Sequence, residues 1–312
     1  MSPVLFLLLG FVLLFFGGEL LVKGSVSLAL RMKVSTLVVG MTIVAFATSA
    51  PELFVSLKAV FSGSSNIALG NVIGSNIANI ALVLSIISIL SFIKVDKNFY
   101  KQDWPIMFGF SILLTLFCIT DQTLNQIEGA ILVASLFFFI YYSLKKSNNE
   151  LIIDDLDDKL VSTSNTKIII WLIISSLSLY FGAEFLVNGA VNFAKQINIS
   201  EAVISVSIVA IGTSIPELAA SLIAITKKEK GISVGNLIGS NIFNIGSVLG
   251  ITAIIKPIQI AQEIIERDII WMLFFALLLL FMVILPRRND LGKLKGFFML
   301  LLYFVFITLA FI

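Results

Sequence analysis

Ten stretches of this chain are so apolar that only the interior of a membrane suits them. They cover residues 3–30, 35–60, 66–92, 104–120, 125–144, 167–195, 200–226, 231–255, 269–286 and 293–312. A helix needs about 20 mostly apolar residues to cross a bilayer. In lipid every backbone N–H and C=O must be satisfied inside the structure, so the spans are read as helices. Composition agrees: 58% of the 312 residues are hydrophobic and 13% are charged. The expected fold class is an all-α membrane protein with ten transmembrane helices. The opening stretch, MSPVLFLLLGFVLLFFGG, has neither a basic leader nor a small-residue cleavage site, so it is read as the first span.

Several function classes are excluded by what is missing. Histidine is absent, which removes a histidine proton relay and the commonest transition-metal ligand. The single cysteine, Cys118, lies in an apolar run and implies no disulfide, zinc cluster or redox site. A net charge of +2 carries no nucleic-acid patch. No residue set calls for covalent chemistry, so neither an enzyme nor a cofactor is expected.

The chain is duplicated at a constant offset of 165 residues. FGGELLV (16–22) matches FGAEFLV (181–187), pairing Glu19 with Glu184. VAFATSAPEL (44–53) matches VAIGTSIPEL (209–218), and IALGNVIGSNIANI (67–80) matches ISVGNLIGSNIFNI (232–245). Asp103 falls on Asp268. Polar residues staying in register mark a true duplication. The expected organisation is a first repeat of five helices over 1–144, an acidic linker over 145–166 and a second repeat over 167–312. An odd span count turns the second repeat upside down, the plan of many secondary transporters. With the N-terminus outside, sixteen lysines and arginines fall on cytoplasmic connections and three on the other side. This positive-inside bias predicts a multi-pass protein of the cytoplasmic membrane with both termini outside and the linker in the cytoplasm.

The matched stretches place polar chemistry at membrane depth. Pro51 and Pro216 each remove a backbone donor and clash with the carbonyl one turn back. Broken or kinked helices are therefore expected at the site, with carbonyls freed near Ala45 and Ala210. Glu52 and Glu217 follow the prolines, and a mid-bilayer carboxylate costs roughly 2.5 kcal/mol or more. Two such acids repel unless a cation or proton lies between them. Thr48, Ser49, Thr213 and Ser214 stand a turn or less earlier. Ser75 and Asn79, with their mates Ser240 and Asn244, sit four residues apart and share a helix face. The result is an all-oxygen cage with up to two negative charges, suited to a hard cation such as calcium. Glycines 70, 74, 235 and 239 read as close-packing residues. Glu19, with Lys23 four residues on, reads as a helix ion pair.

These stretches resemble the calcium/cation antiporter superfamily, in particular its sodium/calcium exchanger branch in bacteria and archaea. ATSAPE, GTSIPE and the two GN-IGSNI--N segments carry the resemblance, which covers essentially the whole chain. It implies a membrane antiporter that exchanges calcium for sodium by alternating access, the first and sixth spans sliding against the remaining bundle; separately, a monomer is expected. The transported ions would be calcium and sodium, with no other cofactor. Carried over by motif position, the ligands would be the Ala45 carbonyl, Thr48, Ser49, Glu52, Ser75 and Asn79. In the second half they would be the Ala210 carbonyl, Thr213, Ser214, Glu217, Ser240 and Asn244. Some relatives carry aspartate where this chain has Asn244. A calcium/proton exchanger and a cation channel are the alternatives; only an exchanger needs an opposing ion.

Overall fold

The computed structural model describes residues 2–147, 160, 162–197, 212–285 and 289–310. Among the described residues, eight helices are long and apolar enough to cross a membrane. In chain order they are α1 (Pro3–Met32), α2 (Thr36–Phe61), α3 (Ser65–Leu90), α4 (Phe99–Asp121), α5 (Gln126–Ser147) and α6 (Asn165–Gln196). A shorter apolar helix, α7 (Ile215–Thr226), comes next, then α8 (Lys230–Ile255) and α9 (Ile264–Ile284). The last helix is α10 (Lys293–Ala310). Most of the linker over 145–166, and residues 200–211 of the seventh apolar run, lie outside the described residues.

Local sequence sets the ends. Ser2 caps α1, its hydroxyl accepting from Leu5 N, and Pro3 stands where a missing N–H is harmless. Ser35 and Ser164 cap α2 and α6 in the same way. At the far end of α1, Lys33 closes the helix in the left-handed region at φ 55°. The α4 helix opens five residues before the predicted span, as a widened π-helical turn over Phe99–Asp103. An equivalent turn, Ile264–Asp268, opens α9. Lys101 and Asp103 hide that first turn from a hydropathy reading.

Pro51 does not break its helix as expected: the α-helical segment Ala45–Phe61 runs through it. The irregularity lies upstream, in a π-helical turn over Gly40–Val44. That turn ends at Val44, before the α-helical register that contains Pro51 begins. The second half is different. There α7 begins at Ile215 with Pro216 in its first turn, where no intrahelical donor is lost.

The residues group into two compact units, each drawing on both halves of the sequence. The first comprises Met1–Thr48, Leu144–Asn236 and Leu309–Ile312. Its core joins Leu14, Leu21 and Val22 to Val44, Leu179 and Ala224. Helices α1 and α6 approach through glycine: a Cβ at Gly10 would lie 2.7 Å from Leu186 N, and one at Gly182 would lie 2.9 Å from Leu14 N. The second unit comprises Ser49–Ser143 and Leu237–Thr308. Leu69, Ile73, Met107 and Phe275 are fully buried in it. Four two-residue strands, absent from the sequence reading, tie its connections in two antiparallel pairs: Ile93–Lys94 with Asp290–Leu291, and Thr123–Leu124 with Ile258–Gln259.

Burial follows position in the bundle. The most apolar windows of α3 and α8 are 83% buried, those of α1 and α6 only 28%. Phe11, Phe16, Phe137 and Phe138 are exposed, as suits side chains that meet lipid tails. The two helices with the most polar motif are thus the ones most enclosed by protein, where a polar group can find a partner.

Candidate functional site

In the first unit, Asn236 of α8 is the centre of a buried polar knot. The Thr48 hydroxyl on α2 donates to Asn236 Oδ1 at 3.0 Å. Asn236 Nδ2 donates to Ser221 Oγ at 3.1 Å and to the Glu217 carbonyl at 3.4 Å, both on α7. One asparagine therefore ties α8 to the glutamate-bearing turn of α7 and to the threonine of α2. The Thr48 proton is spent on Asn236, which leaves the oxygen lone pairs as what Thr48 offers to a ligand. The same hydroxyl lies 3.4 Å from the Ala45 carbonyl, but its one proton serves the shorter bond to Asn236. Ala45, Thr48 and Glu217 are 0% exposed and Ser214 is 1% exposed. Thr213 is half-buried in the turn before α7, and Ala210 lies outside the described residues.

In the second unit, Ser49 and Glu52 are buried on α2, at 3% and 1% exposure. Ser75 and Asn79 on α3, with Ser240 and Asn244 on α8, are buried too. Two side-chain hydrogen bonds join these helices. Asn79 Nδ2 donates to Asn241 Oδ1 at 3.2 Å, and Asn244 Nδ2 donates to Asn76 Oδ1 at 3.1 Å. Adding 165 to Asn79 and Asn76 gives Asn244 and Asn241, so the two bonds are the same bond seen from each half. Asn79 and Asn244 each open a π-helical turn, Asn79–Val83 and Asn244–Leu249. Such turns are frequent at functional sites.

The donor chemistry is hard. Ser49 Oγ, Asn79 Oδ1, Ser214 Oγ and Asn244 Oδ1 are buried with no hydrogen-bond partner among the described residues. Buried oxygens left over in this way carry a desolvation cost that a bound cation would offset. Among the described residues there is no cluster of three or more His, Cys, Asp and Glu that could hold a metal. What is present is one carboxylate from each half, surrounded in sequence by hydroxyls and amides. Each unit thus offers oxygen donors of the kind that suit a hard cation.

Other sequence candidates lie elsewhere. Glu19 pairs with Lys23 at 3.6 Å and also with Lys227 beyond the end of α7. Glu184 is exposed. Close packing holds at Gly235, whose Cβ would stand 2.9 Å from Met41 N, but Gly70 and Gly74 meet no described neighbour within 4 Å. Close packing among the described residues therefore does not require glycine at those two positions. Sequence reasoning missed Ser221, Met107 and Met272, all in contact with the motif asparagines. The signal was available: Met107 and Met272 are themselves 165 apart, as are Ser56 and Ser221.

Known proteins resemble this chain over nearly its whole length. A family model described as sodium/calcium exchanger protein matches residues 2–145 and 167–312. The CaxA antiporter protein of Alkalimonas amylolytica is 35% identical over 311 residues, covering 96% of this chain and 95% of its own. The sodium/calcium exchanger MaX1 of Methanosarcina acetivorans is 29% identical over 344 residues, covering 98% of both. A solved structure of the sodium-calcium exchanger NCX_Mj, soaked with sodium and strontium, superposes with a TM-score of 0.82 at 32% identity. That match covers 98% of this chain and 97% of the other.

Proposed function

Because the chain belongs to the sodium/calcium exchanger family, we propose that it is a secondary antiporter that moves calcium against sodium across the cytoplasmic membrane. The observation that carries the reading is a pair of glutamates, Glu52 and Glu217, at repeat-equivalent positions and 1% and 0% exposed. A carboxylate so enclosed needs a cation or a proton for company. Glu52 and Glu217 serve both ions, which is why calcium and sodium compete. Thr48, Ser49, Ser75 and Asn79 supply neutral oxygens from the first half. Thr213, Ser214, Ser240 and Asn244 supply them from the second, and the carbonyls of Ala45 and Ala210 complete the set.

The plan proposed is ten spans in two inverted repeats, 1–144 and 167–312, joined by a cytoplasmic linker over 145–166, working as a monomer in lipid. Support comes from the 165-residue register, the odd span count and the basic connections. The paired Asn79–Asn241 and Asn244–Asn76 bonds, which exchange under that offset, favour the same plan. Access alternates as α1 and α6 move against the remaining helices.

Calcium uptake into inside-out vesicles tests the coupling. Uptake driven by an imposed sodium gradient, at clamped pH, is expected; uptake driven only by a pH gradient would make the protein a calcium/proton exchanger instead. Flux without any opposing ion would make it a channel. Glu52→Gln and Glu217→Gln are each expected to abolish exchange while the protein still inserts. Near-normal exchange in both variants would defeat the site.

A further inference from the structure

An amide is an ambiguous ligand. Its oxygen attracts a cation and its NH2 repels one, and the two ends have nearly the same shape. For Asn79 and Asn244 to serve the ion, something must hold each NH2 away from it. We propose that Asn76 and Asn241 do this: they are positioning residues that fix which end of Asn244 and Asn79 faces the cation. The inference rests on the site reading given above and adds to it two residues outside the ligand set.

The geometry is a crossed pair. The NH2 of Asn79 is taken up by Asn241 Oδ1 at 3.2 Å, and that of Asn244 by Asn76 Oδ1 at 3.1 Å. The other end of each ligand amide, Oδ1, is buried and without a hydrogen-bond partner among the described residues. Turning Asn79 over would set its oxygen against the oxygen of Asn241 and leave a buried NH2 with nothing to bond, the costlier arrangement.

The positioning residues are themselves held the right way round. Asn241 Nδ2 lies 3.6 Å from Met107 Sδ, and Asn76 Nδ2 lies 4.0 Å from Met272 Sδ and donates to the Asn241 carbonyl at 3.2 Å. A thioether sulfur accepts weakly and donates nothing. It therefore suits an NH2 and leaves the amide oxygen for the ligand. Each chain of contacts runs methionine, positioning asparagine, ligand asparagine, and each repeats at the 165-residue offset: Met107–Asn241–Asn79 and Met272–Asn76–Asn244. The order also crosses the halves. Asn241 of the second half orients a ligand of the first, and Asn76 of the first orients a ligand of the second.

The test uses purified full-length protein in proteoliposomes, with sodium-driven calcium uptake normalised to inserted protein. Asn241→Ala is expected to raise the calcium KM about tenfold, in the range seen when an outer-shell partner of a ligand is lost. The maximal rate should hold within about twofold, since chiefly binding changes. Asn241→Asp keeps the accepting oxygen and is expected to keep KM at or below its original value. Met107→Leu roughly conserves volume while removing the sulfur and should raise KM about two- to threefold, a variant mild enough to insert in any case.

Double substitutions separate positioning from mere packing. Asn241→Ala should add nothing to Asn79→Ala yet multiply with Asn244→Ala, and Asn76→Ala should do the reverse. Additive effects in every pairing, or a fall in maximal rate at unchanged KM, would overturn the inference while the ligand assignment stands. An unchanged KM in both Asn79→Ala and Asn244→Ala would overturn the ligand assignment and this inference with it.

Discussion

Gly235→Ala is a substitution of one carbon that should reach the ion site without touching a ligand. A Cβ at Gly235 would lie 2.9 Å from Met41 N and 3.1 Å from Gly40 C, and closer still to the Leu37 carbonyl oxygen. All three are backbone atoms, so no rotamer change relieves them. The tightest of these, to the Leu37 carbonyl oxygen, needs α2 and α8 to part by about 1 Å to restore ordinary contact. The next residue is Asn236, whose bond from Thr48 is 3.0 Å long. The same displacement takes it to about 4 Å, where it ceases to be a hydrogen bond. Overpacking of this kind costs roughly 1–3 kcal/mol, and the lost bond about 1 kcal/mol more. Replacing glycine within a helix returns about 1 kcal/mol, so net destabilisation of about 1–3 kcal/mol is expected. Calcium KM should rise about tenfold as Thr48 loses its orientation. Cys118, the only cysteine, is fully buried. A thiol-reactive dye therefore reports unfolding directly on heating, and sodium-driven calcium uptake reports KM. Gly109→Ala, where a Cβ meets nothing within 4 Å, is the control and should be neutral or slightly stabilising. A Gly235→Ala protein with unaltered unfolding temperature and KM would refute the packing argument.

Two further outcomes follow from charges away from the ligands. Glu19 bonds Lys23 and Lys227, but its side chain is 20% exposed and those of the lysines 46% and 44%. Such pairs contribute about 0–1 kcal/mol, so Glu19→Gln should change exchange less than about threefold, and choline chloride should shrink the difference by screening. Loss of exchange as complete as in Glu52→Gln would make Glu19 part of the site. Glu229, in the turn between α7 and α8, is half-buried, and burial pushes its carboxyl above the usual carboxylate range. The folded state then holds its proton to higher pH than the unfolded state, so this group lowers stability as pH rises from the unfolded pKa through the folded one. Glu229→Gln should stabilise the protein at neutral pH and leave it unchanged in acid, which dye-monitored unfolding across pH would check; a gain that does not vary with pH would contradict it.

Much of this architecture can be read from hydropathy because lipid leaves so little choice. Once a run of apolar residues must satisfy its backbone internally, a helix is the only answer, and its ends fall where charge or a capping serine appears, as at Ser35 and Ser164. Reading failed where the signal was mixed. The first turn of α4 carries Lys101 and Asp103, and apolar counting starts the span too late. Pro51 misled in a different way: the α-helix runs on through it, while the irregular turn lies upstream at Gly40–Val44, which periodicity cannot report. The motif asparagines stood out because polar residues on buried helices need a reason. Which asparagine bonds which depends on the relative register of α3 and α8, a tertiary quantity with no trace in either helix alone.

The choice of amide over acid at Asn79 and Asn244 bears on how such a site can release what it binds. Sites that hold calcium tightly gather several carboxylates, and affinity rises with their number and rigidity. Here each half contributes one carboxylate to the proposed set, and the remaining side chains are hydroxyls and amides. The charge offered is at most two negatives, enough to balance one calcium and no more. In the proposed set, neutral donors would help strip water from the ion without deepening the electrostatic well, and so would let it leave when access switches. They also leave room for competition: monovalent ions can occupy the same oxygens with only the two carboxylates to compensate them. Any charge imbalance between the two loads then couples the cycle to the membrane potential at about 2.3 kcal/mol per charge per 100 mV. In such a set neutral ligands work only if their oxygens are aimed inward, which would give the orientation of two amides as much functional weight as the placement of two acids.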